Sequence, residues 1–241
     1  MEIMVTFGGA QLEAFRVWFA QLQFEKLWML LITVASCLFC ITFHEMCHGL
    51  TAYVLGDPTA KRVGRLSLNP LKHVDLVGLV MLATVRFGWA KPVPVDMRRF
   101  KNPKLGMAIT ALAGPVSNLL LAAVAMMCYA VAEFYTQYLQ SEFWSYISLF
   151  FLYTTLMSIG LAVFNFLPVP PLDGSKILFA VLPDLWYLKL MRYERYGSLA
   201  LMGLLLLGVL DGPLNALRSA VLNVLSLVCL WPFDLLVSIY T

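Results

Sequence analysis

The five consecutive residues His44-Glu45-Met46-Cys47-His48 carry the plainest chemical signal in the chain. On a helix, residues four apart differ by roughly 40° of rotation, so both imidazoles project from one face. Two imidazoles at that spacing can share one divalent metal, and zinc suits such a nitrogen pair. Glu45, beside the first ligand, is where a carboxylate can take a proton from a metal-activated water. Only 3 histidines occur in 241 residues, and two of them lie here. With so few, chance would produce the pattern roughly once in a thousand such chains. The competing reading is a buried polar patch that pairs helices through hydrogen bonds.

A catalytic zinc needs a third protein ligand and an open position. The remaining histidine, His73, lies in a basic connector, and Asp173, in Pro171-Leu172-Asp173-Gly174, is the better candidate. An Asp ahead of Gly174-Ser175-Lys176 is equally a helix N-cap, so both roles stay open on these residues alone. Cys37, Cys40, His44 and His48 also fall along one helical stripe. A thiolate–imidazole ladder of that kind could serve a membrane metal transporter or sensor. The simpler reading is that small apolar cysteines let helices pack closely. His73 and Asp75 are read either as substrate contacts at a cleft mouth or as a bridge from the connector to lipid headgroups.

The elements that must position these residues lie in a membrane. Hydrophobic residues make up 61% of the chain and charged residues 13%, roughly half the charge of a soluble domain. That balance excludes a soluble enzyme, a disordered chain and a secreted disulfide scaffold. The five cysteines, Cys37, Cys40, Cys47, Cys128 and Cys229, all sit in apolar stretches, and no basic leader marks a cleaved signal peptide. The fold expected is an all-α polytopic bundle of about four to six transmembrane segments with a re-entrant strand or half-helix. Residues 27–55, 106–132 and 146–167 read as spans. Residues 198–210 and 214–239 form either a hairpin or one broken helix, interrupted at Asp211-Gly212-Pro213. Residues 7–23 have the spacing of an amphipathic interfacial helix, and 175–195 read as a short interfacial helix. Residues 76–85 are apolar and Val-rich but about half a span long, so they read as the re-entrant piece. By domain, 1–26 would be the interfacial helix, 27–197 the metal-bearing core and 198–241 the C-terminal membrane helices.

The net charge of +3 is too small to argue for nucleic acid, but its distribution is informative. Ten of the seventeen basic residues lie between Asp57 and Lys104, whereas residues 133–145 hold Glu133 and Glu142 and no Lys or Arg. The positive-inside rule then sets the first span ending inside, the second leaving from there and the third returning. His44 and Asp173 should meet near that inner side. His44 lies about 16 Å from the end of the first span, so a polar cleft opening inward would bring water to it.

Further stretches carry a family resemblance. They are the run from Gly64-Arg65-Leu66-Ser67-Leu68-Asn69-Pro70 to Asp75, Gly88-Trp89-Ala90-Lys91-Pro92-Val93-Pro94-Val95, Ala113-Gly114-Pro115-Val116-Ser117-Asn118, and Phe164-Asn165 through Asp173-Gly174. With the His44–His48 motif, these resemble the site-2 proteases, in their compact prokaryotic branch without a PDZ or CBS domain. The resemblance covers about residues 42–178. It implies an intramembrane zinc metalloprotease in a prokaryotic cell membrane, its site opening toward the cytoplasm. The substrate would be a transmembrane or membrane-proximal protein. His44, His48 and Asp173 would hold Zn²⁺, and Glu45 would be general base and acid. Asn118 and Asn165 match family asparagines near the site and are candidate substrate contacts. Asn118 alternatively supports a bend at Gly114-Pro115, and Asn165 alternatively forms an interhelical hydrogen bond. Residues 76–95 could offer a strand edge to an unwound substrate. Leu76 and Ser175 stand where the family often has Pro and Gly, which bears on loop geometry rather than on ligands.

Overall fold

The computed structural model describes residues 24–75, 78, 91–183 and 194–240. The expected N-terminal amphipathic helix and nearly all of the expected re-entrant segment lie outside the described residues. Seven α-helices occur among those described: α1 (Phe24–Val54), α2 (Thr59–Arg62), α3 (Pro103–Leu139), α4 (Glu142–Asn165), α5 (Asp173–Ala180), α6 (Glu194–Leu206) and α7 (Asp211–Tyr240). No strand is formed among these residues. Four helices are long and apolar enough to cross a bilayer, through Leu27–Val54, Pro103–Leu139, Glu142–Asn165 and Asp211–Trp231. The all-α membrane class expected from composition is the class observed, and the protein is an integral membrane protein.

Helix α1 runs unbroken through the histidine motif and stops at Gly56, whose φ of +105° suits a residue without Cβ. The Gly56 and Asp57 amides then close the last turn by donating to the carbonyls of Tyr53 and Ala52. Helix α3 is longer at both ends than the 106–132 expected. The Asn102 side chain accepts from Leu105 N–H, and Pro103 follows in the first turn, where a missing N–H costs nothing. At the far end Glu133 continues the helix, accepting from Ser148 Oγ at 2.7 Å and Gln137 Nε2 at 3.3 Å. With 37 residues, α3 is about 55 Å long and must project beyond a hydrocarbon layer of about 30 Å.

Helices α1, α3 and α4 pack on one another, and α5 packs on α3. Between α1 and α4 the contact is built from small polar groups. Ser36 Oγ donates to the Phe150 carbonyl at 3.2 Å, and Cys40 lies between Ser158 Oγ at 3.3 Å and the Thr154 carbonyl at 3.5 Å. Such side chains allow close approach and supply hydrogen bonds where lipid offers none. Helix α7 joins through Leu214, which packs with Ala122, Ile159 and Val163.

The C-terminal third is two helices, of which only α7 is span-length. Asp211-Gly212-Pro213 is therefore the first turn of α7, not a break inside or after a helix. Its acidic side chain meets the positive helix end, and Pro213 lacks an N–H that this turn does not need. Of the interfacial helix expected over 175–195, the observed piece is α5, which begins earlier, at Asp173.

Candidate metal and catalytic site

His44 and His48 occupy successive turns of α1, and α5 brings Asp173 to them. His44 Nε2 and His48 Nε2 are 2.9 Å apart, and Asp173 Oδ2 is 3.2 and 3.1 Å from them. All three residues are buried. Asp173 is the first residue of α5 and does not cap it: Leu172 holds the cap position. Its other oxygen, Oδ1, pairs with Lys176 Nζ at 3.2 Å, one turn on in α5. The N-cap alternative for Asp173 is thus not the geometry adopted.

The three donors suit a tetrahedral zinc. Ligands at about 2.0–2.1 Å from such an ion lie roughly 3.3 Å from one another, close to the separations found. The chemistry of the donors agrees. His48 Nδ1 lies 2.7 Å from the Thr110 carbonyl, which commits its proton there and leaves Nε2 as a lone pair. Asn118 is fully buried, with its amide Nδ2 placed 3.2 Å from His44 Nδ1 and its Oδ1 without a hydrogen-bond partner. Turning that amide over, which exchanges two atoms of nearly equal size, sets Oδ1 against His44 Nδ1–H as acceptor. In that arrangement His44 Nε2 is a lone pair too, and two nitrogens and a carboxylate converge on a point that asks for a cation.

Helix α3 approaches this centre at Gly114. A Cβ there would lie 2.4 Å from His48 Nε2 and 2.5 Å from His44 Cε1, so any side chain would displace the imidazoles. Gly174 serves the third ligand in the same way, since a Cβ would meet the Phe166 carbonyl oxygen at 2.3 Å.

Glu45, half-buried beside His44, accepts from Val93 N–H through Oε2 at 2.8 Å. Asn165 is not brought to the donor group by any described bond: its Nδ2 donates to the Leu161 carbonyl of its own helix at 3.0 Å, which is not the interhelical bond considered above. His73 is buried and bonds through Nε2 to the Ser67 carbonyl at 2.9 Å, while Asp75 Oδ1 accepts from Gly78 N–H at 2.9 Å. Both therefore brace the connector. Among the described residues, the one group able to hold a metal is His44, His48 and Asp173. Cys37 and Cys40 are not part of it, and the Cys40 thiol lies between Ser158 and Thr154 in the contact of α1 with α4.

Sequence reasoning missed Lys176, Thr110 and Val93. The i, i+3 spacing of Asp173 and Lys176 was a usable signal. Thr110 acts through its carbonyl and Val93 through its amide, and neither contact is encoded in side-chain type.

A buried two-histidine, one-carboxylate group with an adjacent glutamate, set among membrane-length helices, defines a membrane-embedded metalloprotease class. The family model described as Peptidase family M50 matches residues 32–210, and the chain belongs to that family. YwhC of Bacillus subtilis (strain 168), named as a candidate zinc metalloprotease, is 38% identical over 191 residues, 78% of this chain and 87% of YwhC. Rip2 of Mycolicibacterium smegmatis, named in the same way, is 29% identical over 148 residues, 60% of this chain and 54% of Rip2. Rip2 of Mycobacterium tuberculosis (strain H37Rv) is 27% identical over 151 residues, 61% of this chain and 56% of that protein. The chain thus spans about half the length of the Rip2 proteins. No solved structure matches it. The family and the donor group together make this a zinc metalloprotease of the site-2 protease kind.

Proposed function

We propose that the protein hydrolyses peptide bonds of membrane-embedded or membrane-proximal proteins, from a site that opens to the cytoplasm of a prokaryotic cell. The observation that carries this reading is the convergence of His44 Nε2, His48 Nε2 and Asp173 Oδ2 within 3.2 Å of one another, with Glu45 beside them. His44 lies ten residues from the end of α1, or about 15 Å along the helix.

His44, His48 and Asp173 would hold the ion. Bound there, zinc supplies a Lewis acid that polarises the scissile carbonyl and makes water a better nucleophile. Glu45 does the proton work. Its Oε2 is held by Val93 N–H, which leaves Oε1 to accept a proton from the attacking water. That proton passes to the departing amide nitrogen as the C–N bond breaks, giving a carboxylic acid and an amine. The Thr110 carbonyl and Asn118 orient the two imidazoles, and Lys176 holds the outer oxygen of Asp173. Asn118, fully buried behind His44, orients a ligand rather than touching substrate. Asn165, with its Oδ1 not engaged by its own helix, is the candidate contact for the substrate backbone. A helical substrate hides its peptide bonds, so it must unwind to be cut.

Glu45→Gln removes the proton acceptor and leaves the three metal donors. Membrane fragments compared by proteomics in cells carrying the native chain or Glu45→Gln should differ. Fragments present with the native chain should vanish with the variant, and their sequences name the substrates. Identical fragment sets would remove the protease reading.

A further inference from the structure

The extended segment 91–96 crosses the site side of α1 and is tied at three places. At its start, Lys91 N–H donates to the His73 carbonyl at 2.8 Å. In the middle, Val93 N–H donates to Glu45 Oε2 at 2.8 Å, and the Val93 side chain packs over Gly49. Glu45 and Gly49 are one turn apart on one face of α1. A Cβ on Gly49 would come within 3.1 Å of Val93 Cγ1 and 2.8 Å of Leu66 Cδ2, so the missing side chain lets the strap lie close. At its end, Asp96 N–H donates to Asp57 Oδ2 at 2.7 Å.

Asp57 stands just past the end of α1 and is completely buried. Its other oxygen accepts from the Thr59 amide at 3.0 Å and from the Thr59 hydroxyl. Arg99 Nε lies 3.5 Å from Asp57 Oδ1 and 3.4 Å from Asp96 Oδ2. Burial pushes this carboxyl up, but the bonds from Thr59 and the Asp96 amide, with Arg99 alongside, outweigh it and hold it below the ordinary carboxylate range. Asp57 is therefore a full anion at neutral pH. Pro92 and Pro94 flank Val93 and carry no N–H, so Val93 supplies the only backbone donor of that tripeptide. Pro94 also keeps Val93 extended. The amide is thus presented to Glu45 by a stiff piece of chain whose register is set from the end of the same helix.

We propose that Asp57 is a positioning residue for Glu45, acting through the 91–96 strap: it fixes Asp96, which fixes the height of Val93 N–H, which holds the Glu45 carboxylate in one rotamer. The consequence rests on the protease reading above, because a base that must receive and return one proton loses rate when it swings. Misplacing a catalytic group by about 1 Å costs on the order of 10²-fold.

The test uses the full zinc-loaded chain in detergent micelles, with β-casein as an unfolded probe substrate and with valine amides followed by NMR. Asp57→Ala should raise hydrogen exchange at Val93 by about tenfold or more. It should lower kcat about 10²-fold while KM and zinc content hold. Val93→Pro keeps the strap extended but deletes the N–H, and should lower kcat similarly with zinc retained. Lys61→Ala removes an exposed bond to Tyr53 OH beside the same helix end and should leave kcat and Val93 exchange as they are. Unchanged Val93 exchange in Asp57→Ala overturns the relay, as does unchanged kcat in Val93→Pro or a kcat loss in Lys61→Ala equal to that of Asp57→Ala. Absence of Glu45-dependent cleavage in the unsubstituted chain would strike the protease reading instead, and Val93 exchange would still decide whether Asp57 sets the strap.

Discussion

Two imidazoles and a carboxylate with their lone pairs turned inward repel one another unless a cation lies between them, and the side chains around them keep them so turned. Thr110 and Asn118 occupy the outer nitrogens, and Lys176 the outer oxygen. Gly114 completes the arrangement by leaving out a side chain. Gly114→Ala should therefore lower zinc affinity by roughly 10–100-fold, the usual cost of disturbing the groups behind metal ligands. Gly203→Ala, where a Cβ meets nothing within 4 Å, should keep the metal, and zinc per chain measured after dialysis separates the two. The cysteines stand outside this group. Cys37→Ala with Cys40→Ala should leave zinc content and cleavage unchanged, and loss of activity with zinc retained would return them to the chemistry. At this scale the placement of His44, Glu45 and His48 was legible, because it depends only on local helix geometry. Asp173 was legible as a candidate, but 129 residues separate it from His44, and only packing shows that it meets the histidines rather than capping its helix.

The elements were legible where hydropathy is continuous and poorly legible where polarity has a packing purpose. Helix α3 was read too short because Glu133 looks like a boundary, whereas its carboxylate is satisfied by Ser148 and Gln137 and the helix continues. Asp211-Gly212-Pro213 looked like a break because the same residues that interrupt a helix also begin one. The contact of 91–96 with α1 could not be read at all. It is made by backbone amides 39 and 48 residues from their acceptors, and backbone groups are the same at every non-proline position. The motif Lys91-Pro92-Val93-Pro94-Val95 announces stiffness, not its partner.

For the whole molecule, the distribution of aromatic and basic residues supports the proposed orientation. Trp28 and Tyr146 lie 6.0 Å apart, and Tyr135 stacks on Trp144 at 4.8 Å. These residues gather where α1 begins, α3 ends and α4 begins, as aromatic side chains do at one membrane interface. The opposite end carries Lys61, Arg62, Arg65, Lys72, Lys101 and Lys104, the bias of a cytoplasmic face. In a chain cleared of its native cysteines, Gln140→Cys should react with an impermeant maleimide on intact cells. Arg62→Cys should react only after permeabilisation, and labelling of both from outside would reject this orientation.

The central claim is that one buried zinc group and Glu45 together cut peptide bonds. Its most direct test is the cleavage rate of the purified chain carrying Glu45→Gln, with zinc counted in the same sample. The expected result is one zinc per chain and a rate lower by about 10²–10⁴-fold, the usual loss on removing a general base. Cleavage at the native rate with the zinc in place would contradict it.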